Sequence, residues 1–132
     1  MSTHPLHADS LMPNITATDI DKSIHFYTHG LGFQVATRSE RDGVLTYVVL
    51  RAGNAQLGLG RDDFAKGRNR SKGVGLRIWL STTQDITALA AHAASAGITI
   101  DEGPAPLPWG PMAFAVTDPD GFKLTISAPM TM

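Results

Sequence analysis

The chain has 132 residues, of which 42% are hydrophobic and 17% are charged, and its formal net charge is −1. This length and composition are typical of one globular domain, which can bury a core without help from disulfides or metals. The nearly neutral charge argues against nucleic acid as a partner, and the lack of cysteine excludes disulfides, thiol catalysis and thiolate metal sites.

The first ten residues are polar and include His4 and His7, but they contain no apolar run. A secretory signal or a membrane span needs such a run, so we expect neither of them. We therefore expect a cytoplasmic protein that does not bind membranes.

Residues 11–60 predict a first module, in which one strand is followed by one helix and three further strands. The first strand is predicted at residues 11–17, the helix at 19–30, and the later strands at 33–39, 45–51 and 55–60. Thr18 and Asp21 have the spacing of a capping box at the start of the helix. Gly30 or Gly32 is placed to take the left-handed conformation that ends it.

Residues 61–73 form a linker that carries five basic residues against two acidic ones. Segments of this kind are usually solvated connections between packed units. The alternative is that the linker is a mobile, cationic flap over a bound ligand. The sequence leaves both interpretations open.

Residues 74–129 predict a second module that repeats the order of the first. Its strand is predicted at 74–80, its helix at 84–96, and its extended segments at 98–102, 112–117 and 122–127. Thr82 and Asp85 have capping-box spacing, and Gly97 is placed to end the helix. Residues 118–121, Asp-Pro-Asp-Gly, predict a tight hairpin turn, because proline presets φ and glycine accepts a positive φ.

A proline-rich stretch at residues 104–111 separates two of these extended segments. Its four prolines cannot donate backbone hydrogen bonds to a neighbouring strand, so we predict an irregular connection there. That connection holds Trp109 on a stiff loop.

Three motifs follow one another in a set order and spacing: residues 18–27 with 31–33, residues 108–110 with Phe114 and Val116, and residues 118–122. Together they resemble the vicinal oxygen chelate superfamily, which includes glyoxalase I, extradiol dioxygenases and the fosfomycin and bleomycin resistance proteins. The resemblance covers residues 11–128. It implies an α+β fold, as a single domain over residues 1–132, in which two βαβββ modules form an open cup of mixed sheet with helices outside.

The enzymes of this superfamily usually place His or Glu at four positions that face the cup. By the resemblance these positions correspond to Met12, Gly58, Gly75 and Thr125. None of the four is a competent anchor for a divalent cation. A slip of one residue would not restore the site, because the neighbours are all apolar. The sequence therefore predicts no metal, no other cofactor and no catalytic residue.

Strand alternation predicts which side chains of the second module face the cup. The even-numbered residues of 74–80 form an apolar face suited to the helix, which leaves Arg77 and Trp79 towards the cup. A guanidinium in a strand that otherwise reads as buried needs a partner. We expect that partner to be a ligand, a group across an interface, or a carboxylate such as Glu40 or Asp101.

The same count extends the predicted lining to the other strands. The third strand turns either Tyr47 and Val49 or Val48 and Leu50 towards the cup, and alternation does not decide which. The predicted ligand-binding residues are Asn14, Tyr47, Gln56, Arg77, Trp79, Trp109, Met112 and Phe114. Aromatic and Met side chains with a few polar groups are typical of small-molecule sites, although Trp79, Met112 and Phe114 are equally suited to filling a core.

These features favour a metal-free protein that binds a small aromatic ligand and is similar to the bleomycin resistance proteins. Such a protein sequesters an antibiotic or a metabolite by stacking, without chemistry. Those relatives act as dimers with pockets between the subunits, so the resemblance implies a homodimer. The alternatives are a metal-dependent or metal-free lyase, isomerase or dioxygenase of the superfamily, and a regulatory or structural module whose cup is filled by its own side chains.

Overall fold

Each half of the chain forms one four-stranded mixed sheet with one helix. The computed structural model describes residues 5–129, so His4 lies outside the described residues. In chain order the elements are β1 (Asn14–Ala17), α1 (Ile20–His25), a π-helical turn (Phe26–Gly30), β2 (Gln34–Arg41), β3 (Val44–Ala52), β4 (Ala55–Arg61), β5 (Arg77–Ser81), α2 (Ile86–Ser95), β6 (Glu102–Pro106), β7 (Met112–Thr117) and β8 (Lys123–Ser127).

The two sheets repeat one topology. The strand order is β1-β4-β3-β2 in the first sheet and β5-β8-β7-β6 in the second. In each module the first and last strands run parallel and the other pairs run antiparallel. The predicted α+β fold of two βαβββ modules is confirmed, and the sheets are not closed. Neither helix in the described part of the chain has the length and apolarity needed to cross a membrane.

An aspartate caps the start of each helix. Asp19 Oδ1 accepts from the backbone N–H of Lys22 at 3.2 Å, and Asp85 Oδ1 accepts from that of Ala88 at 3.2 Å. The capping boxes that the spacing predicts around Thr18 and Thr82 are therefore wrong. An aspartate lies between each threonine and its helix, and a carboxylate there both satisfies a free N–H and interacts favourably with the helix dipole.

The edge strand β6 runs through part of the stretch for which the prolines predict an irregular connection. Glu102 pairs with Ala115 and Pro106 pairs with Met112, with a register shift between Glu102 and Ala105. The prediction of a strand at residues 98–102 is wrong except for its last residue. Because β6 is an edge strand, the backbone N–H groups on its outer side have no neighbouring strand to donate to. A proline, which lacks that N–H, is therefore tolerated there.

Strand β5 begins three residues later than the apolar alternation predicts. Gly75 lies in a turn with φ of +77°, and Val74 is 82% exposed. Leu76 is exposed as well, so neither Val74 nor Leu76 faces a helix. A pattern of alternating apolar residues does not show whether those residues pair with another strand. The partner strand β8 begins at Lys123, which pairs with Arg77, so β5 begins there.

One hydrophobic core joins the two modules. It contains one face of each sheet, with Ile15, Ala17, Val48, Leu50, Leu57 and Leu59 from the first and Ile78, Phe114, Val116, Leu124 and Ile126 from the second. Val48 and Leu50 are fully buried, which settles the alternation of β3 in favour of Tyr47 and Val49 on the other face. We call that other face, turned away from the core, the open face of each sheet.

The end of the linker is fixed by a buried ion pair. Lys72 Nζ lies 2.9 Å from Asp62 Oδ2 and 3.7 Å from Asp120 Oδ1, and it donates to Thr18 Oγ1 at 2.8 Å. Thr18 Oγ1 in turn donates to Asp120 Oδ1 at 2.5 Å. The linker thereby ties the start of the first helix to the hairpin turn of the second module, and Lys72 is not available to a flap.

A second polar contact crosses between the modules. Tyr27 is fully buried, and its hydroxyl donates to Asp118 Oδ2 at 2.8 Å. Asp118 Oδ1 accepts the backbone N–H groups of Asp120 and Phe122, which closes the predicted hairpin turn. Burial raises the pKa of the Tyr27 hydroxyl, and the adjacent Asp118 charge raises it further. The hydroxyl therefore stays protonated and continues to donate.

Acid is expected to weaken the ion pair at the end of the linker. The hydrogen bond from Lys72 holds the pKa of the Asp62 carboxyl below its usual range, and the backbone N–H of Phe64 lowers it further. An unfolded aspartate titrates near pH 3.9, so this stabilisation is present above about pH 4 and is lost as the pH falls through the folded pKa. We expect the melting temperature to fall less between about pH 5 and pH 2 in Asp62→Asn than in the wild type.

Thermal melts at several pH values check this prediction. Asp63→Asn removes the neighbouring exposed carboxylate and is the matched control, which should keep the wild-type slope. Parallel curves for Asp62→Asn and the wild type would contradict the prediction.

Candidate functional site

The open face of the second sheet carries a cavity of about 390 Å³, which we call the Trp pocket. Its lining includes Arg77, Trp79, Glu102, Trp109, Ala113 and Ala115. The alanines pair with Ser127 and Thr125 of β8, so only small side chains cover the middle of the sheet. The volume lies within the range of about 300–1,000 Å³ that is usual for small-molecule sites.

Two tryptophans form one side of the Trp pocket. The ring centroids of Trp79 and Trp109 lie 6.2 Å apart at an interplanar angle of 28°. Trp79 Nε1 donates to Ser127 Oγ at 2.9 Å, which fixes the orientation of its ring. Trp79 is 38% exposed and Trp109 is 60% exposed. The pair therefore presents aromatic surface on which a planar ligand can stack.

Arg77 borders the same pocket, on the same face of β5 as Trp79. Its Nη1 donates to Thr125 Oγ1 at 2.8 Å. Neither predicted carboxylate is its partner, since no ion pair among residues 5–129 includes Arg77 and Asp101 accepts from Thr117 Oγ1 at 2.6 Å. Arg77 is exposed, so it does not need the partner that a buried guanidinium would require, and its other N–H groups are open to a ligand or to a group across an interface.

The first sheet places Asn14 and Tyr47 together on its own open face. Tyr47 Oη donates to Asn14 Oδ1 at 2.5 Å, directly over Gly58. A Cβ atom at Gly58 would collide with both side chains. The missing side chain of Gly58 therefore makes room for a hydrogen bond between two neutral groups. Asn14 and Tyr47 do not line the Trp pocket.

The close packing over Gly58 predicts a measurable coupling. Tyr47→Phe is expected to cost about 1 kcal/mol in the wild type, because the hydrogen bond to Asn14 is lost. In a Gly58→Ala background it should cost close to nothing, because the new methyl group has already displaced the bond. Urea denaturation of the two single variants and the double variant gives the interaction energy.

Gly60→Ala is the matched control for this cycle. It lies on the same face of the same strand, but its Cβ would have no neighbour closer than 3.8 Å. Tyr47→Phe should keep its full cost in that background. An equal cost of Tyr47→Phe in all three backgrounds would contradict the prediction.

The other predicted site residues take different positions. Phe114 is 2% exposed and packs in the core, although it also reaches the lining of the Trp pocket. Met112 packs against the core from the same face of β7. Gln56 and Trp79 both line a smaller cavity of about 170 Å³ where the two sheets meet. Arg77, Trp79 and Trp109 are thus the predicted residues whose exposed side chains the fold gathers at one pocket.

A divalent metal does not fit the four positions of the superfamily. Met12 precedes β1, Gly75 lies in a turn, and Thr125 Oγ1 already accepts from Arg77. The space above Gly58 is filled by Asn14 and Tyr47. Nowhere in residues 5–129 do three or more His, Cys, Asp or Glu side chains cluster closely enough to hold a metal ion. We therefore derive no chemistry through a metal.

A larger cavity of about 800 Å³ lies between the modules, on the core side of the sheets. Its aromatic residues, Phe33 and Phe114, are both buried in the core. His92, on its rim, makes a hydrogen bond to the backbone oxygen of His29 at 3.0 Å. The Trp pocket is the better candidate, because exposed aromatic faces and a charged group without an ionic partner meet there.

Strand alternation in the sequence turns Thr125 and Ser127 towards the cup, but it does not predict that they orient Arg77 and Trp79. Arg77 and Trp79 each bond to the β8 residue two positions beyond their own strand partner, Thr125 and Ser127 respectively. The alternating polar residues of β8 were the available signal, but only the parallel register of β5 and β8 shows which pairs meet. Glu102 at the far margin gave no sequence signal.

A family model described as Glyoxalase/Bleomycin resistance protein/Dioxygenase superfamily matches residues 7–126. Among solved structures, the chain is similar to TioX from Micromonospora sp. ML1, at 17% identity and a TM-score of 0.76, covering 93% of this chain and 100% of that one. It is also similar to TnmS3, an antibiotic binding protein from Streptomyces sp. CB03234, at 23% identity and a TM-score of 0.73, covering 96% and 100%.

A bleomycin-binding protein solved in complex with bleomycin is similar as well, at 23% identity and a TM-score of 0.68, covering 93% of this chain and 100% of that one. A search of curated proteins found no match. At these identities the solved structures show the likeness of the fold.

Proposed function

The chain belongs to the Glyoxalase/Bleomycin resistance protein/Dioxygenase superfamily, and from this premise we propose that it is a metal-free protein that sequesters a planar aromatic antibiotic or metabolite. The observation that carries the proposal is the exposed pair Trp79 and Trp109 at the Trp pocket. Its ligand stacks on these rings and is held without bond formation or cleavage.

The lining of the Trp pocket suits binding better than catalysis. Stacking on indole rings recognises any flat, apolar ligand, and the small alanine floor leaves room for one. Arg77, the cation at the pocket wall, is held by Thr125 in a hydrogen bond that orients it without neutralising its charge. Two structural neighbours, TnmS3 and the bleomycin-binding protein, are antibiotic-binding proteins by name, which supports this class of function.

A titration of chelator-treated protein with 2-naphthalenemethanol, a planar and uncharged probe, tests the proposal. The protein has two tryptophans and both line this pocket, so a ligand in it is expected to shift both indole N–H signals in a ¹H–¹⁵N spectrum, whereas the smaller cavity is lined by Trp79 without Trp109. We expect both signals to shift with saturation, and calorimetry to give the same affinity before and after addition of divalent ions.

Two outcomes overturn the proposal. One is an absence of shifts in the indole signals with this probe and with its charged analogues 2-naphthoate and 2-naphthylmethylamine. The other is binding that appears only after a divalent metal is added, which would instead support the lyase, isomerase or dioxygenase alternative.

We also propose that the protein is a cytoplasmic homodimer. Several large apolar side chains are exposed, among them Leu11, which is 85% exposed, Val74 and Leu76, in addition to the two tryptophans of the Trp pocket. Exposed apolar surface of this extent usually marks an interface or a ligand site. Analytical ultracentrifugation is expected to give about twice the monomer mass of 14.1 kDa, and a concentration-independent monomer would contradict the prediction.

A further inference from the structure

The charged residues around the Trp pocket are separated into a cationic end and an acidic margin. Arg77 and Lys123 are partners in the register of β5 and β8, so they lie side by side at one end. Glu102 lies on β6, and the strands β8 and β7 separate it from β5. At a spacing of about 4.8 Å per strand, the β5 and β6 backbones are roughly 14 Å apart.

At the cationic end, most N–H groups of Arg77 are not used in hydrogen bonds to the described residues. A guanidinium carries five N–H donors, and the described residues accept from one of its nitrogens, through Thr125. Thr125 is buried, so its hydroxyl anchors one nitrogen of the guanidinium at the pocket wall, while Arg77 itself is exposed and accessible to a ligand. The remaining N–H groups form a planar fork that matches a carboxylate.

The fork and the stacking surface belong to one pocket. Trp79 follows Arg77 by two residues on the same face of β5, and Trp109 stacks on Trp79. A ring lying on the tryptophans is therefore next to the guanidinium. A carboxylate attached to that ring would reach Arg77 without leaving the stacking surface.

We propose that the Trp pocket selects planar aromatic carboxylic acids, with Arg77 as the residue that determines this specificity. The inference rests on the proposed function, because it names the chemical class that the same pocket takes. The ring stacks on Trp79 and Trp109, and the carboxylate accepts from the free N–H groups of Arg77. A cationic ring of the same shape is disfavoured at that end of the pocket.

Three naphthalenes of equal ring size and different charge test the proposal by calorimetry at neutral pH. We expect 2-naphthoate to bind about tenfold or more tightly than 2-naphthalenemethanol, because a charge-assisted hydrogen bond is added. We expect 2-naphthylmethylamine, which is a cation at this pH, to bind more weakly than the alcohol. Arg77→Gln should remove the preference for the acid over the alcohol.

Lys123→Gln is the matched control, since it removes the adjacent cation of the same end. It should retain most of the preference, because Lys123 contributes only a charge and not the oriented fork. Arg77→Lys, which keeps the charge and loses the fork, should retain only part of it. Melting temperatures of the three variants establish that each is folded.

The outcomes separate this inference from the proposed function. If the alcohol binds and shifts the indole signals but the acid binds no more tightly, the selectivity is wrong and the aromatic site stands. If Lys123→Gln removes as much preference as Arg77→Gln, a general positive potential replaces Arg77 as the cause, and the inference fails. If none of the three probes shifts the indole signals, both proposals fail.

Discussion

Trp109→Ala is expected to weaken binding of 2-naphthalenemethanol about 30-fold while leaving the fold intact. The side chain is 60% exposed and contributes its ring to the stack with Trp79. An aromatic anchor at the centre of a site typically contributes about 2 kcal/mol or more, and about 1.4 kcal/mol corresponds to a tenfold change in affinity. Calorimetry measures the affinity, and a thermal melt measures the stability.

Two controls define this result. Trp109→Phe keeps an aromatic ring on the same loop and should lose much less affinity than the alanine variant. Leu6→Ala removes an exposed apolar side chain of the N-terminal segment and should bind as the wild type does. Undiminished affinity in Trp109→Ala would show that the ligand binds elsewhere, and the larger cavity between the modules would then be the site to examine.

Gly73→Ala is expected to reduce the free energy of unfolding by about 3 kcal/mol. Gly73 ends the linker with φ of +73°, and a Cβ atom there would lie 2.5 Å from the backbone oxygen of Gly121 and 2.9 Å from the Cα atom of Phe122. The left-handed conformation costs an alanine roughly 1–2 kcal/mol, and the collision adds about 1–3 kcal/mol because backbone atoms must move. The strain acts where the linker meets the hairpin turn of the second module.

Gly67→Ala separates the two contributions to this loss. Gly67 lies in the same linker with φ of +99°, but a Cβ atom there would have no neighbour within 4 Å. It should lose only the conformational part, about 1–2 kcal/mol. Urea unfolding of both variants gives the difference, and an equal loss in the two would mean that the contact with Gly121 is unimportant.

Much of the fold was predictable because it depends on local patterns. Helical spacing, left-handed glycines and the Asp-Pro-Asp-Gly turn each act over a few residues, and they predict two βαβββ modules in the order observed. The placement of Arg77 and Trp79 on one face of a strand follows from the period of two alone. The absence of His and Glu at the four metal positions of the superfamily was also predictable, because it depends only on which residue type stands at each position.

Alternation could not predict everything about the strands. The run from Val44 to Ala52 is apolar on both faces, so only the pairing of β3 with β4 could bury Val48 and Leu50 and turn Tyr47 outwards. The alternation of apolar residues that predicts β5 also includes Val74 and Leu76, but both residues lie before the first residue of that strand, Arg77. A pattern of hydrophobicity shows which side chains could face a core, but it does not show where a strand begins.

The residue types available for binding can be read from the amino-acid sequence: two tryptophans, an arginine without a neighbouring carboxylate in sequence, and no His or Glu at the four metal positions of the superfamily. Which of them meet depends on the packing of the folded chain. Trp79 and Trp109 are 30 residues apart in the chain, and Lys72 of the linker reaches Asp120 of the second module. Such contacts depend on strand register and on how two modules pack, which are properties of distant segments that no local pattern records.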